Sequence, residues 1–229
     1  MDRLIETSIL TDQVYQVLRK EIIGGKFAPG TKLDINALAS DFKVSRSPVK
    51  DAITQLVHDG LIEILPRKGT YVTQLKREDF IELLDVRLMV ESWAASKAMA
   101  AISDRDLENW HHALVQMDSL VEQKPFPFEQ YAEYDITFHR LLVQYAGNSR
   151  CLKLYDSLNA PVALARVVYH YSYESSIRRH DDHKRMYEAL QHKNLPALLT
   201  ALEQHIRSIQ EEAAERWSQV FPSTDGTER

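Results

Sequence analysis

The sequence has little cysteine and lacks a long apolar run. Its 229 residues include one cysteine, Cys151, which excludes an intrachain disulfide and a cysteine-rich zinc module. The apolar run at residues 160–168 is shorter than the roughly 18 residues that a membrane span requires, and Arg166 interrupts it. The N-terminus lacks a basic segment followed by an apolar one, which a secretory signal would need. We therefore expect a soluble protein of the reducing cytoplasm that does not enter a membrane.

Glycine and proline are also scarce, with 7 and 8 residues, which excludes collagen-like and low-complexity chains. The apolar fraction of 44% is enough for a sizeable core, and the length suits two domains. The net charge of −5 hides an asymmetry, since residues 1–74 hold 10 of the 28 basic and 9 of the 33 acidic residues. The acidity therefore belongs to the rest of the chain and does not argue against DNA contact by the N-terminal part.

Residues 1–74 carry three helix patterns followed by a hairpin pattern. The first helix is expected at Thr11 to Ile23, the second has Asp34 as its N-cap, and the third starts at Ser45. Residues 61–74 alone have the alternation, turn residues and β-branched side chains of strands. Two helices joined by a tight turn and followed by a hairpin predict a winged helix-turn-helix.

Basic residues lie where a winged helix-turn-helix contacts DNA. The first exposed turn of the third helix carries Arg46, Ser47 and Lys50, which can reach base edges and phosphates in the major groove. Arg67 and Lys68 form a basic hairpin tip that can reach phosphates or the minor groove. The alternative is that all are ordinary solvated side chains. The order of these features along the chain favours DNA binding.

The same residues closely resemble the GntR family of bacterial repressors. The resemblance is carried by Phe27-Ala-Pro-Gly-Thr-Lys-Leu33, Val44-Ser-Arg-Ser-Pro-Val-Lys-Asp-Ala52 and Gly69-Thr-Tyr-Val72. It implies operator contacts by the recognition helix and the wing, through Arg46, Ser47, Lys50, Arg67, Lys68 and Gly69. The family usually has an acidic residue at Ile35, glycine at Lys43 and Arg-Glu at Lys50-Asp51. Lys50 matters most, because an ammonium lacks the bidentate contact that a guanidinium makes with guanine.

Residues 79–218 have the pattern of an all-helical domain. Six amphipathic helices are expected, at about residues 79–101, 104–123, 128–146, 150–171, 176–192 and 196–217. A short linker at residues 75–78 precedes them, and a polar tail at residues 219–229 is expected to be disordered. The predicted fold is mostly α, with a winged helix-turn-helix ahead of a helical bundle.

Four residues of the helical domain suit a metal site. Asp135 and His139 lie one turn apart on one helix face, whereas His183 and His205 lie on apolar stripes of two later helices. Three imidazoles and a carboxylate suit zinc first, with nickel, manganese or iron as other choices. The alternative is that each histidine is a hydrogen-bonded core residue and Asp135 caps a helix or forms a salt bridge.

These stretches look like the FCD ligand-binding domain of the FadR subgroup. They are Tyr134-Asp-Ile-Thr-Phe-His139, Ala146-Gly-Asn148, the segment from His183 to Leu190, and His205-Ile206. The resemblance implies that the aspartate and three histidines hold a divalent metal and that a small organic acid completes its coordination. It also assigns Arg87 to the effector pocket. The alternative for Arg87 is a surface salt bridge with Glu91, four residues later.

These features predict a transcriptional regulator, a repressor by resemblance, rather than an enzyme. It is expected to bind a short palindromic operator as a homodimer, because one recognition helix reads too few base pairs. Two other hypotheses stay open. One is a non-haem metalloenzyme that uses Asp135 and two histidines around iron. The other is a helical domain that only dimerises.

Overall fold

The computed structural model describes residues 2–74, 76–168 and 173–220. These residues form two compact units. One unit contains the chain up to Lys76 together with Ala160–Val168, and the other contains Arg77–Asn159 and the described residues after the gap at 169–172.

The first unit begins with helices and ends with a small sheet. Its elements are α1 (Asp2–Ile23), β1 (Lys32–Leu33), α2 (Ile35–Asp41), α3 (Arg46–His58), β2 (Ile62–Leu65) and β3 (Gly69–Val72). Asp34 caps α2 as predicted, because its Oδ1 accepts the backbone N–H groups of Asn36 at 2.7 Å and Ala37 at 3.3 Å. Ser45 is the N-cap of α3, and Gly60, with a φ of +73°, turns the chain after that helix.

One apolar core joins these elements. Its fully buried members come from α1, α3, β3 and the residue before β2, namely Leu18, Ile22, Val49, Ala52, Leu56, Leu61 and Val72. Five of the seven lie on α1 and α3. Burial of these side chains is the main force that holds the unit together.

The sheet has three strands rather than the predicted two. β3 lies in the middle, pairs with β2 through the hairpin, and pairs on its other edge with β1, where Lys32 faces Tyr71. The prediction that only residues 61–74 form strands is therefore wrong for residues 32–33. A strand of two residues is too short to show alternation, and it forms because β3 offers unpaired backbone groups beside it.

The second unit is helical, as predicted. Its helices are α4 (Arg77–Ala101), α5 (Asp104–Val121), α6 (Phe128–Tyr145), α7 (Ser149–Val168), α8 (Tyr173–Gln191) and α9 (Leu195–Val220). Of α7, only the part up to Asn159 belongs to this unit, since Ala160–Val168 belongs to the first. α4 begins within the predicted linker at 75–78. α9 extends two residues into the predicted tail at 219–229, and the rest of that tail lies outside the described residues. None of the helices in the described ranges combines the length and apolarity needed to cross a bilayer.

The packing of α6, α8 and α9 positions the functional side chains. α9 packs against α8 and α4, and α6 packs against α5 and α4. The fully buried Trp110 on α5 donates its Nε1–H to the carbonyl oxygen of Phe138 on α6, at 3.0 Å. This bond fixes the α6 turn that carries His139, next in the chain.

Candidate metal centre and DNA-binding surface

The predicted DNA-contact residues lie on the surface of the first unit. Arg46, Ser47 and Lys50 are exposed in the first turns of α3, and Arg67 and Lys68 are exposed in the turn between β2 and β3. Exposure leaves their donors available to a nucleic acid, as the sequence patterns require.

Backbone geometry explains two features of this surface. Gly69 has a φ of +128°, and a Cβ built there would lie 2.9 Å from Cε of Lys32, so the wing turn favours glycine. Lys43 adopts a φ of +55° in the tight turn before α3. This is the position at which the resembling family usually has glycine, a residue that adopts the left-handed conformation without the steric cost that Lys43 carries.

The four predicted ligand residues meet inside the second unit. Asp135 and His139 lie on α6, His183 on α8 and His205 on α9, and one ligand atom from each lies within 4.8 Å of the others. Nε2 of His183 is 3.1 Å from Nε2 of His139 and 3.1 Å from Oδ1 of Asp135. All four side chains are buried, so three nitrogens and one oxygen converge away from bulk solvent.

His205 does not fit the alternative of a hydrogen-bonded core histidine. Neither of its ring nitrogens has a hydrogen bond within the described part of the chain, and its nearest acidic contact is 3.5 Å from Nδ1 to Oδ2 of Asp182. A buried polar group without a partner costs about 1–3 kcal/mol. The arrangement is therefore explained better by a bound cation than by protein packing.

The three rings are held in the neutral state that metal ligation requires. Burial lowers the pKa of His139 and His183, in each case against the opposing effect of a nearby carboxylate. The pKa of His205 falls well below its ordinary value through burial and through the neighbouring His183 and His139. Neutral imidazoles keep a nitrogen lone pair for coordination.

His139 is hydrogen-bonded to a buried carboxylate, Glu91, whose contact with the cluster was not predicted from the sequence. Oε2 of Glu91, on α4, accepts the Nδ1–H of His139 at 2.8 Å. Its Oε1 accepts Nε–H of Arg87 at 2.6 Å and the hydroxyl of Tyr155 at 2.5 Å. Burial opposes the charge of Glu91, but Arg87 and His139 more than offset it and lower the pKa to about 2. Glu91 is therefore an ionised acceptor.

Arg87 forms the ion pair with Glu91 that was the alternative to an effector role. The pair is buried, however, with 4% and 0% of the two side chains exposed, rather than on the surface. Among the described residues, Arg87 bonds only through Nε. A charged i, i+4 pair on the buried face of α4 was the one sequence signal that could have identified Glu91, since charges are rarely buried without a partner or a role.

The donor set fits a divalent transition metal. Imidazole nitrogens and one carboxylate oxygen are the ligands that zinc, nickel, manganese and iron accept, whereas calcium prefers oxygen donors alone. Four protein ligands also leave room for a further ligand when the ion has five or six coordination positions.

Two family models match the chain. The model of the gntR family of bacterial regulatory proteins matches residues 10–72, and the FCD domain model matches residues 82–208. The HTH-type transcriptional repressor RspR of Escherichia coli (strain K12) is 30% identical over 212 residues, which cover 91% of each chain. The gluconate operon transcriptional repressor of Bacillus licheniformis is 28% identical over 206 residues, covering 87% of this chain and 83% of that one.

A solved structure of a GntR protein from Rhodococcus sp. RHA1 has the same fold. It superposes with a TM-score of 0.78 at 24% identity and covers 90% of this chain and 97% of its own. The family and its named relatives are regulators, so the metalloenzyme hypothesis is not retained. The GntR model matches the first unit, the FCD match extends over more than half of the residues, and RspR is 30% identical over 91% of the chain. The chain therefore belongs to the GntR family of bacterial regulatory proteins, as a transcriptional regulator with an FCD domain.

Proposed function

We propose that this regulator is a metal-dependent repressor controlled by a small organic acid. Asp135, His139, His183 and His205 hold a divalent ion, zinc as the first choice. The observation that carries the proposal is the convergence of four buried ligand atoms within 4.8 Å, together with the unpartnered ring nitrogens of His205 in the described structure. A cluster of this kind is costly unless a cation binds it.

The charges around the cluster favour an anionic effector. The buried carboxylates of Glu91 and Asp135 offset the guanidinium of Arg87 and one charge of a divalent ion. The buried carboxylate of Asp182, 3.5 Å from His205, is offset by Arg185, which pairs with it at 2.9 Å. One positive charge remains in excess, and a carboxylate would neutralise it. A bound ion would supply a coordination position for one carboxylate oxygen. Arg87 is the proposed effector-binding residue, because its guanidinium can donate to a carboxylate while Nε stays with Glu91.

Operator binding is assigned to the exposed basic surface of the first unit. Arg46, Ser47 and Lys50 enter the major groove from α3, and the wing contacts the flanking DNA through Arg67, Lys68 and Gly69. Two heads of a homodimer read the two halves of a short palindrome, in the cytoplasm, where the operator is. Repression is supported by two relatives that are named as repressors, RspR and the gluconate operon repressor of Bacillus licheniformis. Gluconate is an organic acid.

The acid controls the operator through a population shift. The acid binds one arrangement of the two heads better than the other. This difference in acid affinity is the coupling free energy that changes the affinity of the protein for the operator.

A thermal-shift screen tests the proposal. Small carboxylic acids are added to the protein with zinc, and again with EDTA. An effector raises the unfolding temperature by mass action, and does so only when zinc is present. The double variant His183→Ala, His205→Ala is expected to lose both zinc, by elemental analysis, and the acid-dependent shift. Equal shifts with zinc and with EDTA would contradict a metal-dependent effector site.

A further inference from the structure

Glu91 stands outside the four-residue cluster but is bonded to it. It is fully buried and accepts hydrogen bonds from residues of three helices, Arg87 on its own α4, His139 on α6 and Tyr155 on α7. The two carboxylate oxygens accept from different partners. Oε1 accepts hydrogen bonds from Arg87 and Tyr155, and Oε2 accepts one from His139.

The contact with Oε2 determines which nitrogen of His139 carries the proton. Oε1 of Glu91 forms an ion pair with Arg87 at 2.6 Å and accepts the hydroxyl of Tyr155. A carboxylate paired in this way only accepts, so Nδ1 of His139 must donate to Oε2. A neutral imidazole has one N–H, and Nε2 therefore keeps its lone pair. Nε2 is the nitrogen that lies 3.1 Å from Nε2 of His183, inside the cluster. In the opposite tautomer, the lone pair of Nδ1 would face the carboxylate of Glu91, and the hydrogen on Nε2 would point at the other ligand atoms of the cluster.

We propose that Glu91 is the positioning residue of the centre. Its Oε2 fixes the tautomer and ring orientation of His139 for a divalent ion, and its Oε1 orients Arg87 for the effector. One rigid carboxylate thus links the metal ligand to the effector-binding guanidinium, so that acid binding and metal binding are coupled. This inference rests on the proposed function, since it assigns regulation to the same site.

Zinc affinity tests the inference in the full-length protein. Glu91→Gln keeps the shape of the side chain but removes the carboxylate charge, and we expect its zinc affinity to fall about 10–100-fold, measured by competition with a chromophoric chelator. Glu203→Gln makes the same substitution on an exposed face of α9, where Glu203 pairs only with Arg207 among the described residues. It should bind zinc as the wild type does. Equal affinities of Glu91→Gln and wild type would overturn the positioning role.

A second measurement does not depend on the folding of the variant. Long-range ¹H–¹⁵N spectra of the histidine rings in the metal-free wild type report the tautomer of each ring. We expect His139 with its proton on Nδ1, and a proton on Nε2 instead would overturn the inference. Failure of the wild type to bind zinc is a different result, because it would remove the metal centre of the proposed function while the tautomer of His139 still reported on Glu91.

Discussion

In the metal-free protein, the destabilisation caused by the metal centre depends on the hydrogen bonds of single side chains. His139 has a hydrogen bond from Nδ1 to Glu91, and His183 lies 3.1 Å from Oδ1 of Asp135. Nδ1 of His183 has no hydrogen bond within the described structure, and at His205 both buried nitrogens lack one. The stability cost of the centre should therefore be largest at His205.

The variant His205→Leu should separate this cost from the gain on metal binding. With EDTA, we expect its unfolding free energy to equal that of the wild type or exceed it by up to about 1 kcal/mol, because a buried polar group without a partner is removed. With zinc at about 100 times Kd, the wild type should gain about 2.7 kcal/mol and the variant little. Urea unfolding in the two buffers measures both quantities.

The exposed His192 provides the control, since its ring donates only to the carbonyl oxygen of Glu188 among the described residues. His192→Leu should keep the zinc-dependent gain. A marked loss of stability of His205→Leu in EDTA would indicate that the ring is a satisfied structural residue.

At the scale of elements, a hydrogen bond joins the first helix to the end of the recognition helix. The hydroxyl of Tyr15, on α1, donates to Oδ2 of Asp59 at 2.5 Å, just after α3 ends. Burial and the adjacent carboxylate of Asp59 raise the pKa of Tyr15 to about 12, from 10.0. The bond needs the protonated phenol. It holds the C-terminal end of α3 against α1, in an orientation that leaves the first turns of α3 exposed.

The sign of the pH dependence follows from this raised pKa. The contribution of Tyr15 to stability is complete below pH 10, where the unfolded chain also keeps the phenol protonated, and is lost as the pH rises through about 12. The difference in tyrosinate absorbance between the wild type and Tyr15→Phe should show a group that ionises near pH 12. In Asp59→Asn the same group should ionise closer to pH 10. Ionisation near pH 10 in the wild type would contradict the bond.

Amphipathic periodicity was sufficient to predict most helices of both units to within a few residues. The prediction was wrong for the start of α1, which begins at Asp2, nine residues before the predicted Thr11. Strands β2 and β3 were predicted from alternation and turn residues. β1 was not, because a two-residue strand is defined by its partner, β3, rather than by its own sequence.

At the scale of the whole molecule, an exposed face of α4 suits the proposed homodimer. Met89 is 63% exposed and Trp93 is 39% exposed, one helical turn apart on one face. Glu82 and Lys97 lie on that face toward opposite ends of the helix. In an antiparallel pair of α4 helices, each Glu82 would approach Lys97 of the other copy, with the apolar side chains between them.

Met89→Glu should therefore disrupt the dimer, because it puts a charge into the apolar centre of the paired helices. Light scattering coupled to size exclusion should give a monomer mass, and a gel-shift assay should give weaker operator binding. Arg46→Ala is the matched contrast, expected to weaken operator binding while the dimer mass is kept. A dimer mass for Met89→Glu would exclude this face as the interface.

The sequence by itself determined the parts of this protein that depend on neighbours along the chain. The capped and amphipathic helices, the basic first turn of α3, the wing turn and the Asp135–His139 pair follow from local spacing. Resemblance to the FCD domain was needed to group that pair with His183 and His205, because periodicity gives the buried face of a helix but not the helix that it meets.

Only the tertiary structure decided what surrounds the cluster. Glu91 and His139 are 48 positions apart, and Glu91 and Tyr155 are 64 apart. Their contacts arise from the packing of α4 against α6 and α7, and no local pattern encodes them. The same packing buries the Arg87–Glu91 pair and removes it from water, which turns an ordinary i, i+4 salt bridge into the proposed link between the metal and its effector.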